Sequence, residues 1–324
     1  METTDANSST SSGMNLDSMS RTSCSIGVLG SASGWYMRDL QRAAEEINAQ
    51  SHRNIDIVPL TFDSLSVQSL NNLEVRSAPT YEAAAAAMDV RSLDALLVRT
   101  MPLGSLEQVI FRMNALHVAK EAGTRVLNPP RCLEICIDKW LTIQKARSEG
   151  ILTPRTICCQ TRDEALHAWN VLGEDCIVKP IFGGEGRGIV RVTDYDMAWR
   201  VFSTLEQLRS VIYVQEFVRN DGSDLRLLVL GEELYCVRRD GGGNWKANVS
   251  QGGTATRIDP TFEQVDIAYR AAKIVGGWMV GVDVIEANDG RNVLIEVNAV
   301  PGWRATAAAV GTDIAKRMVE LATQ

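Results

Sequence analysis

Two groups of residues in this 324-residue chain could do chemistry. The first lies in VKPIFGGEGRGIVRV (178–192), where Lys179 stands at the foot of a loop with glycines at 183, 184, 186 and 188 between two apolar runs. A Walker phosphate loop would carry its lysine after the glycines and lead into a helix, and a dinucleotide fingerprint would enter a helix through differently spaced glycines. Neither fits. A strand lysine that presents a cation beneath a hinged flap, whose backbone N–H groups can close over a polyphosphate, does fit. So does a mobile surface hairpin, and the loop alone does not decide between them.

The second group lies in VGVDVIEANDGRNVLIEVNAV (280–300), where Asp289-Gly290 separates two β-rich runs and signals a two-residue hairpin turn. Asn288 then pairs with Arg291, Asp283 with Glu296 and Gly281 with Asn298. Side chains alternate across a strand, so Asp283, Glu296 and Asn298 share one face, while Val282, Val284, Ile295 and Val297 form an apolar layer on the other. Facing carboxylates have Cβ atoms about 5 Å apart and repel by an amount comparable to the roughly 0.2–1 kcal/mol of a favourable pair. A hard divalent cation, with ligand distances near ~2.1 Å, would neutralise them, and Asn298 adds a neutral oxygen. A solvated face or an arginine or lysine partner would do so without metal. An oxygen-only set selects magnesium or manganese over zinc. Strand lysine, glycine flap and acidic pair together describe nucleoside triphosphate chemistry.

The elements that must position these residues alternate. Residues 1–23 are rich in Ser and Thr with few large apolar side chains, and are expected to be a disordered tail. From Cys24, CSIGVLG, IDIVPLTF and LDALLVRTM read as strands, and GWYMRDLQRAAEEINAQ and SLEQVIFRMNALHVAKEAG as helices. This is a parallel, doubly wound unit over 24–128, closed by VLNPP. A second unit over 129–212 opens with CLEICIDKWLTIQKARSEG, expected as one helix ending at Gly150, and carries the flap between strands DCIVKP and GIVRV. A third, over 213–324, opens at VIYVQEFV, is mostly strand, and closes on the helix GTDIAKRMVELA. The fold class is α/β with α+β character.

The bulk numbers narrow the function. With 33 Lys and Arg against 40 Asp and Glu, the chain has no electrostatic reason to hold nucleic acid. No apolar run nears the roughly 18 residues of a membrane span, and the N-terminus lacks a signal-peptide pattern, so a cytoplasmic protein is expected. The seven cysteines contain no C-x-x-C pair and read as buried reduced thiols, and three scattered histidines lack metal-ligand spacing.

With these pieces in order, the chain resembles the ATP-grasp superfamily and, within it, the RimK-type amino-acid (alpha-L-glutamate) ligases, over about residues 24–324. The resemblance rests on DKW, VKPIFGGEGRG, VQEFV followed by GSDLR, NWKANVSQGG, GVDVIEAN, LIEVNAVPG and GTDIAKRM. It implies an ATP-grasp fold behind an N-terminal doubly wound domain that helps bind the acceptor, with ATP held between two lobes. Lys139 and Lys179 would contact the phosphates under the flap glycines Gly183, Gly184 and Gly186. Gln215 and the backbone of Glu216, Phe217 and Val218 would meet the adenine, and Asp224 the ribose. Arg239, Lys246 and Asn248 match a phosphate-side cluster, Arg226 would support the transferring phosphoryl group, and Arg226, Arg239 and Asn248 are the catalytic candidates. Asp283, Glu296 and Asn298 match the family's ligands for magnesium or manganese, implying two ions and agreeing with the hairpin argument.

The implied reaction moves the γ-phosphoryl group of ATP to a carboxylate, and an amine then attacks the acyl phosphate to form an amide. The implied partners are ATP, an amino-acid donor expected to be L-glutamate, and a carboxylated acceptor such as a tetrahydromethanopterin-type pterin. Glutamylation of a protein C-terminus and a non-catalytic ATP-binding regulator are the alternatives. The architecture also allows a homo-oligomer through the first unit. Three departures from the family pattern bear on the acceptor: Val249-Ser250-Gln251 before the glycine pair, Lys246 where arginine is usual, and Trp303-Arg304 after Pro301-Gly302. Arg304 is a candidate to hold a substrate carboxylate, and Trp245 to line the acceptor pocket.

Overall fold

The structure, a computed structural model, describes residues 23–324 apart from 52, 81, 84–86, 184–185 and 242–253. The tail expected over 1–23 therefore lies outside the described residues except for Ser23, which begins the first strand. Gly184, Trp245, Lys246, Asn248 and the departure at 249–251 also lie outside them.

The first part of the chain builds β1 (Ser23–Leu29), α1 (Trp35–Gln50), β2 (Asn54–Leu60), a small antiparallel sheet of β3 (Ser66–Ser69), β4 (Leu73–Ser77) and β5 (Met88–Asp89), then β6 (Ala95–Val98), α2 (Leu106–Glu121) and β7 (Arg125–Leu127). The main sheet runs β2-β1-β6-β7 and is parallel throughout. The central β6 and the end of β1 are continuous buried apolar runs, as burial on both faces demands, while the edge strand β2 alternates exposed and buried residues at its start. Ser105 opens α2 with a reciprocal capping box to Gln108. The small antiparallel sheet and β7 are absent from the sequence-level pattern, because short, half-exposed strands carry little periodicity.

The next stretch forms α3 (Pro130–Ile137), α4 (Lys139–Ser148), β8 (Thr156–Cys159), α5 (Arg162–Val171), β9 (Cys176–Lys179), β10 (Val190–Val192), α6 (Tyr195–Gln207) and β11 (Ile212–Glu216). The single helix expected over 132–150 is two: the chain breaks at Asp138, whose carboxylate accepts from the Leu141 N–H at 2.9 Å and caps α4. β9 and β10 pair antiparallel on either side of the glycine loop. β11, expected to open the last unit, instead pairs with both β8 and β9, so this sheet runs β10-β9-β11-β8. It has its own core with α5 and α6, including Trp169, Phe202 and Val214.

The remainder forms β12 (Ser223–Leu230), β13 (Glu233–Asp240), β14 (Thr254–Arg257), α7 (Phe262–Val275), β15 (Met279–Glu286), β16 (Asn292–Asn298), α8 (Arg304–Val310) and α9 (Ile314–Ala322). Its sheet is antiparallel in the order β14-β13-β12-β15-β16. One face, with Leu225, Leu227, Val282, Val284, Leu294 and Val297, packs on α7 and joins the core beneath the first sheet. The other face is apolar only beyond Arg226, where Leu228 and Leu230 meet α1 and α9. Its remaining half carries charge.

Among the described residues no helix is long and apolar enough to cross a membrane. All seven cysteines are free; four are buried, and Cys24, Cys158 and Cys159 are half-buried.

Candidate nucleotide and metal site

The charged half-face is built by cross-strand pairing. Asp224 on β12 stands opposite Arg239 on β13, Arg226 on β12 opposite Asp283 on β15, and Asp283 opposite Glu296 on β16. Arg239 grips Asp224 through two parallel bonds, Nε to Oδ1 at 2.6 Å and Nη2 to Oδ2 at 2.7 Å, and its Nη2 is also 3.2 Å from Asp283 Oδ1. Arg226 donates to both oxygens of Asp283, with Nη2 to Oδ2 at 3.0 Å. Forked guanidinium–carboxylate pairs of this kind fix geometry as well as charge.

The hairpin reaches the expected pairing by a different route. Gly290 N–H donates to Ala287 O at 2.8 Å, and Ala287 N–H to Arg291 O at 2.9 Å, so three residues form the loop, with Gly290 in the left-handed region at φ 86°. The ladder then pairs Glu286 with Asn292 and Val284 with Leu294, and a bulge at Ile295 restores the match of Asp283 with Glu296 and Gly281 with Asn298. Leu294 therefore enters the apolar layer where Ile295 is expected, and Ile295 is only half-buried.

Lys179 approaches this row from β9 of the second sheet, and Lys139 from the start of α4, which packs on β16 and α7. The break at Asp138 places Lys139 at the first residue of α4, from which Nζ donates to Gly183 O and lies 3.5 Å from Glu296 Oε1. Lys179 is buried at the end of β9 and donates to Gln215 Oε1 at 2.7 Å. Gln215 is held in turn by Thr156 Oγ1 at 3.0 Å and Tyr213 Oη at 2.9 Å. Burial pushes Lys179 down to about 8, with neighbouring Lys139 adding to the shift and Glu296 and Asp283 opposing it. Burial alone would raise Asp283, but Arg226 and Arg239 outweigh it and hold that carboxyl below its ordinary range. At Asp224 burial wins and the carboxyl is raised despite Arg239.

Four cations, Lys139, Lys179, Arg226 and Arg239, thus gather around three carboxylates, Asp224, Asp283 and Glu296. The repulsion that a metal would relieve is met by these protein cations, so electrostatic neutrality by itself does not demand an ion. Asn298 Nδ2 lies 3.4 Å from Asp283 Oδ2, which brings the third expected oxygen ligand to the same place. Among the described residues no three His, Cys, Asp or Glu side chains gather as a metal cluster, so the candidate set is two carboxylates and an amide. Its chemistry fits a hard divalent cation: every donor is oxygen, Asp283 is held ionised, and Glu296 is partly open to solvent.

At the segment expected to meet the adenine, the N–H groups of Glu216 and Phe217 already donate to Arg155 O and Asp175 O, each at 3.0 Å. The Val218 N–H has no such partner among the described residues. Arg191 stacks on Phe217, its guanidinium carbon 3.6 Å from the ring centroid. In the flap, Gly183, Gly186 and Gly188 all take positive φ, the conformation that glycine alone adopts without strain. Sequence reasoning missed the supports: the Asp138 cap that starts α4 at Lys139, and the Tyr213–Gln215–Thr156 chain beneath Lys179. An aspartate just before a helical run is a recognisable cap, but the continuous apolar pattern over 132–146 hides it.

The comparisons with known proteins bear on the family and the fold. The RimK-like ATP-grasp domain model matches residues 136–322. The tetrahydromethanopterin:alpha-L-glutamate ligase of Methanosarcina acetivorans is 31% identical over 257 residues, 70% of this chain and 79% of that protein. The alpha-aminoadipate–LysW ligase LysX of Sulfurisphaera tokodaii is 28% identical over 231 residues, covering 67% of this chain and 80% of that one. In fold, the RimK domain ATP-grasp protein of Sphaerobacter thermophilus superposes with a TM-score of 0.67 at 18% identity, covering 93% of this chain and all of that one (100%). The ATP-grasp ligase PsnB, in complex with Mg and ADP, superposes at 0.65 and 20% identity over 94% of this chain and 99% of its own. This chain belongs to the RimK-like ATP-grasp family and is an ATP-dependent ligase.

Proposed function

We propose that the chain joins L-glutamate to a small carboxylated acceptor, a pterin cofactor foremost, by way of an acyl phosphate. The observation that carries this is the convergence of Lys139, Lys179, Arg226 and Arg239 on Asp283 and Glu296 at the foot of the glycine loop. The likeness to tetrahydromethanopterin:alpha-L-glutamate ligases supports the choice of amine and acceptor.

Lys139 and Lys179 hold the polyphosphate, and the flap from Gly183 through Gly188 closes over it. Asp283, Glu296 and Asn298 hold magnesium or manganese, two ions when ATP is bound, which shields the phosphate charges. Arg226 and Arg239 stabilise charge as the γ-phosphoryl group moves to the acceptor carboxylate. Glutamate's amine then attacks the acyl carbon, phosphate leaves, and an amide remains. Gln215 orients Lys179, the Val218 N–H meets the adenine edge, and Asp224 meets the ribose. Lys246 and Asn248 complete the phosphate side in this scheme. No protein nucleophile is needed: the neighbouring Cys136 is hydrogen-bonded to Cys132 and pushed well up by that bond and by burial. Units over 24–128, 129–212 and 213–324, with β11 joined to the second by its pairing, in a cytoplasmic protein complete the proposal.

The test is ADP release from ATP and magnesium with L-glutamate, across pterin acceptors, LysW-like carrier proteins and peptides with acidic C-termini. Release that requires both glutamate and a pterin, with product mass increased by one glutamyl unit, supports the proposal. Release only with a protein acceptor moves the substrate to the carrier class, and ATP binding without release for any pair overturns the glutamate and acceptor assignment proposed here.

A further inference from the structure

In the first sheet, α1 leaves β1 toward β2 and α2 leaves β6 toward β7, so the chain departs in opposite directions from adjacent parallel strands. The loops after β1 and β6 therefore part at the carboxyl ends of those strands. In open parallel sheets, that switch point is where ligands bind. The residue standing there is Arg99. Its N–H and that of Thr100 both donate to Leu29 O, at 2.8 and 3.1 Å, and a Cβ on Gly30 would lie 3.3 Å from Arg99 Cβ. The two strand ends are in contact at this point.

Arg99 has no acidic partner among the described residues. Its Nη2 donates to Pro301 O at 2.7 Å, its guanidinium lies 4.5 Å from the Trp303 ring centroid and 5.3 Å from that of Tyr36, and its Nε is sealed from solvent with no acceptor among the described residues. The residue as a whole stays half-buried. Arg226 and Arg239, the other enclosed arginines near the acidic row, are by contrast forked onto carboxylates. Burial pushes the Arg99 guanidinium down to about 10, which leaves it charged at neutral pH. An enclosed cation with an unused donor is short of an anion.

Pro301 ties this place to the phosphate site. A Cβ on Gly281 would stand 2.9 Å from Pro301 Cβ and 3.1 Å from Arg226 Nη1, so Pro301 separates Arg99 from the row of Arg226, Asp283 and Glu296 by one residue's thickness. Arg304, singled out by sequence, lies instead over Trp35 at 5.2 Å and is exposed.

We propose that Arg99 binds a substrate carboxylate in the crevice between the β1 and β6 loops, one other than the carboxylate that is phosphorylated. This rests on the ligase function proposed above, in which glutamate carries two carboxylates that are not phosphorylated and an acceptor that is a diacid would carry one. Nε is sealed, so the carboxylate would meet the Nη1–Nη2 edge, where Nη1 is not sealed and makes no hydrogen bond among the described residues. Such a fork recognises a carboxylate and discriminates against the neutral amide, whose NH2 would face those donors.

The test is titration calorimetry on the full chain with ADP and magnesium, using L-glutamate, its two monoamides L-glutamine and L-isoglutamine, and glutarate as an acid without an amine. Arg99→Lys and Arg99→Gln should each weaken at least one carboxylate probe by roughly tenfold to a hundredfold. ATP affinity should stay within about twofold, and the amide lacking the recognised carboxylate should bind variant and wild type alike. Loss confined to L-glutamate assigns the donor's carboxylate, and loss shared with glutarate assigns an acid of the acceptor kind. A lowered Tm with every probe unaffected would leave Arg99 a purely structural tie to Pro301 and overturn the proposal, as would wild-type protein that binds ATP but none of the probes. Wild-type protein that fails to bind ATP would overturn the ligase function itself.

Discussion

The ammonium group of Lys179 donates to the side-chain carbonyl of Gln215 at 2.7 Å, and Gln215 is itself fixed by Tyr213 and Thr156. The lysine is thus held at one spot at the foot of the flap while burial makes its charge costly. In the folded chain it loses its proton near pH 8, against 10.5 for the ordinary group, so between those values the unfolded state holds the extra proton. Stability should therefore rise with pH across that window as the buried charge is relieved. Polyphosphate favours the charged form. ATP binding above about pH 8 should take up a proton and weaken as pH rises, which calorimetry in two buffers of different ionisation heat will show. Lys179→Arg should abolish the uptake, and Lys179→Ala should weaken ATP binding at neutral pH; unchanged affinity would count against its phosphate role.

Asp283 and Glu296 should separate fold from chemistry. Asp283 is enclosed and forked onto Arg226, with Arg239 alongside, so Asp283→Ala strands buried cations and should cost about 3–5 kcal/mol of stability. Glu296 is partly exposed and only 3.5 Å from its nearest cation, so Glu296→Ala should leave thermal unfolding nearly unchanged. Its turnover should nevertheless fall by about a hundredfold or more. Full activity in Glu296→Ala would remove it from the metal set.

Asp138→Ala removes the cap that starts α4 at Lys139. A loss of about 1 kcal/mol is expected. Because the lysine sits on the affected turn, KM for ATP should rise more than KM for glutamate. Equal changes in both would indicate a general loss of structure.

Gly188 takes φ 71°, and a Cβ there would stand 2.8 Å from Pro180 Cγ. Gly188→Ala should strain the foot of the flap by about 1–2 kcal/mol. Steady-state assays should show a lower kcat, since closure and chemistry depend on the loop more than the resting fold does.

Much of the architecture was legible because it is periodic. The alternating strands and helices of 24–128, the strands around the flap and the final hairpin all follow from apolar spacing. The acidic pair was legible too, although two irregularities hide behind the expected register. Asp289-Gly290 belongs to a three-residue loop, and Ile295 is the added residue that brings Glu296 back opposite Asp283. The break at Asp138 was obscured because apolar residues continue in phase on both sides of it. Arg99 carries no sequence signal: its surroundings come from Tyr36, Pro301 and Trp303, distant in the chain, and only the packed fold reveals the unpaired donor.

The bulge at Ile295 acts like a clutch between two halves of β16. On the tip side the strand follows the loop, with Leu294 turned into the core; on the far side it follows the sheet, with Glu296 and Asn298 turned outward and Val297 inward. The two halves keep separate phase, so rearrangement at the hairpin tip is absorbed before it reaches the carboxylates. The end of the strand that carries Glu296 and Asn298 is set by its pairing within the sheet rather than by the turn that precedes it.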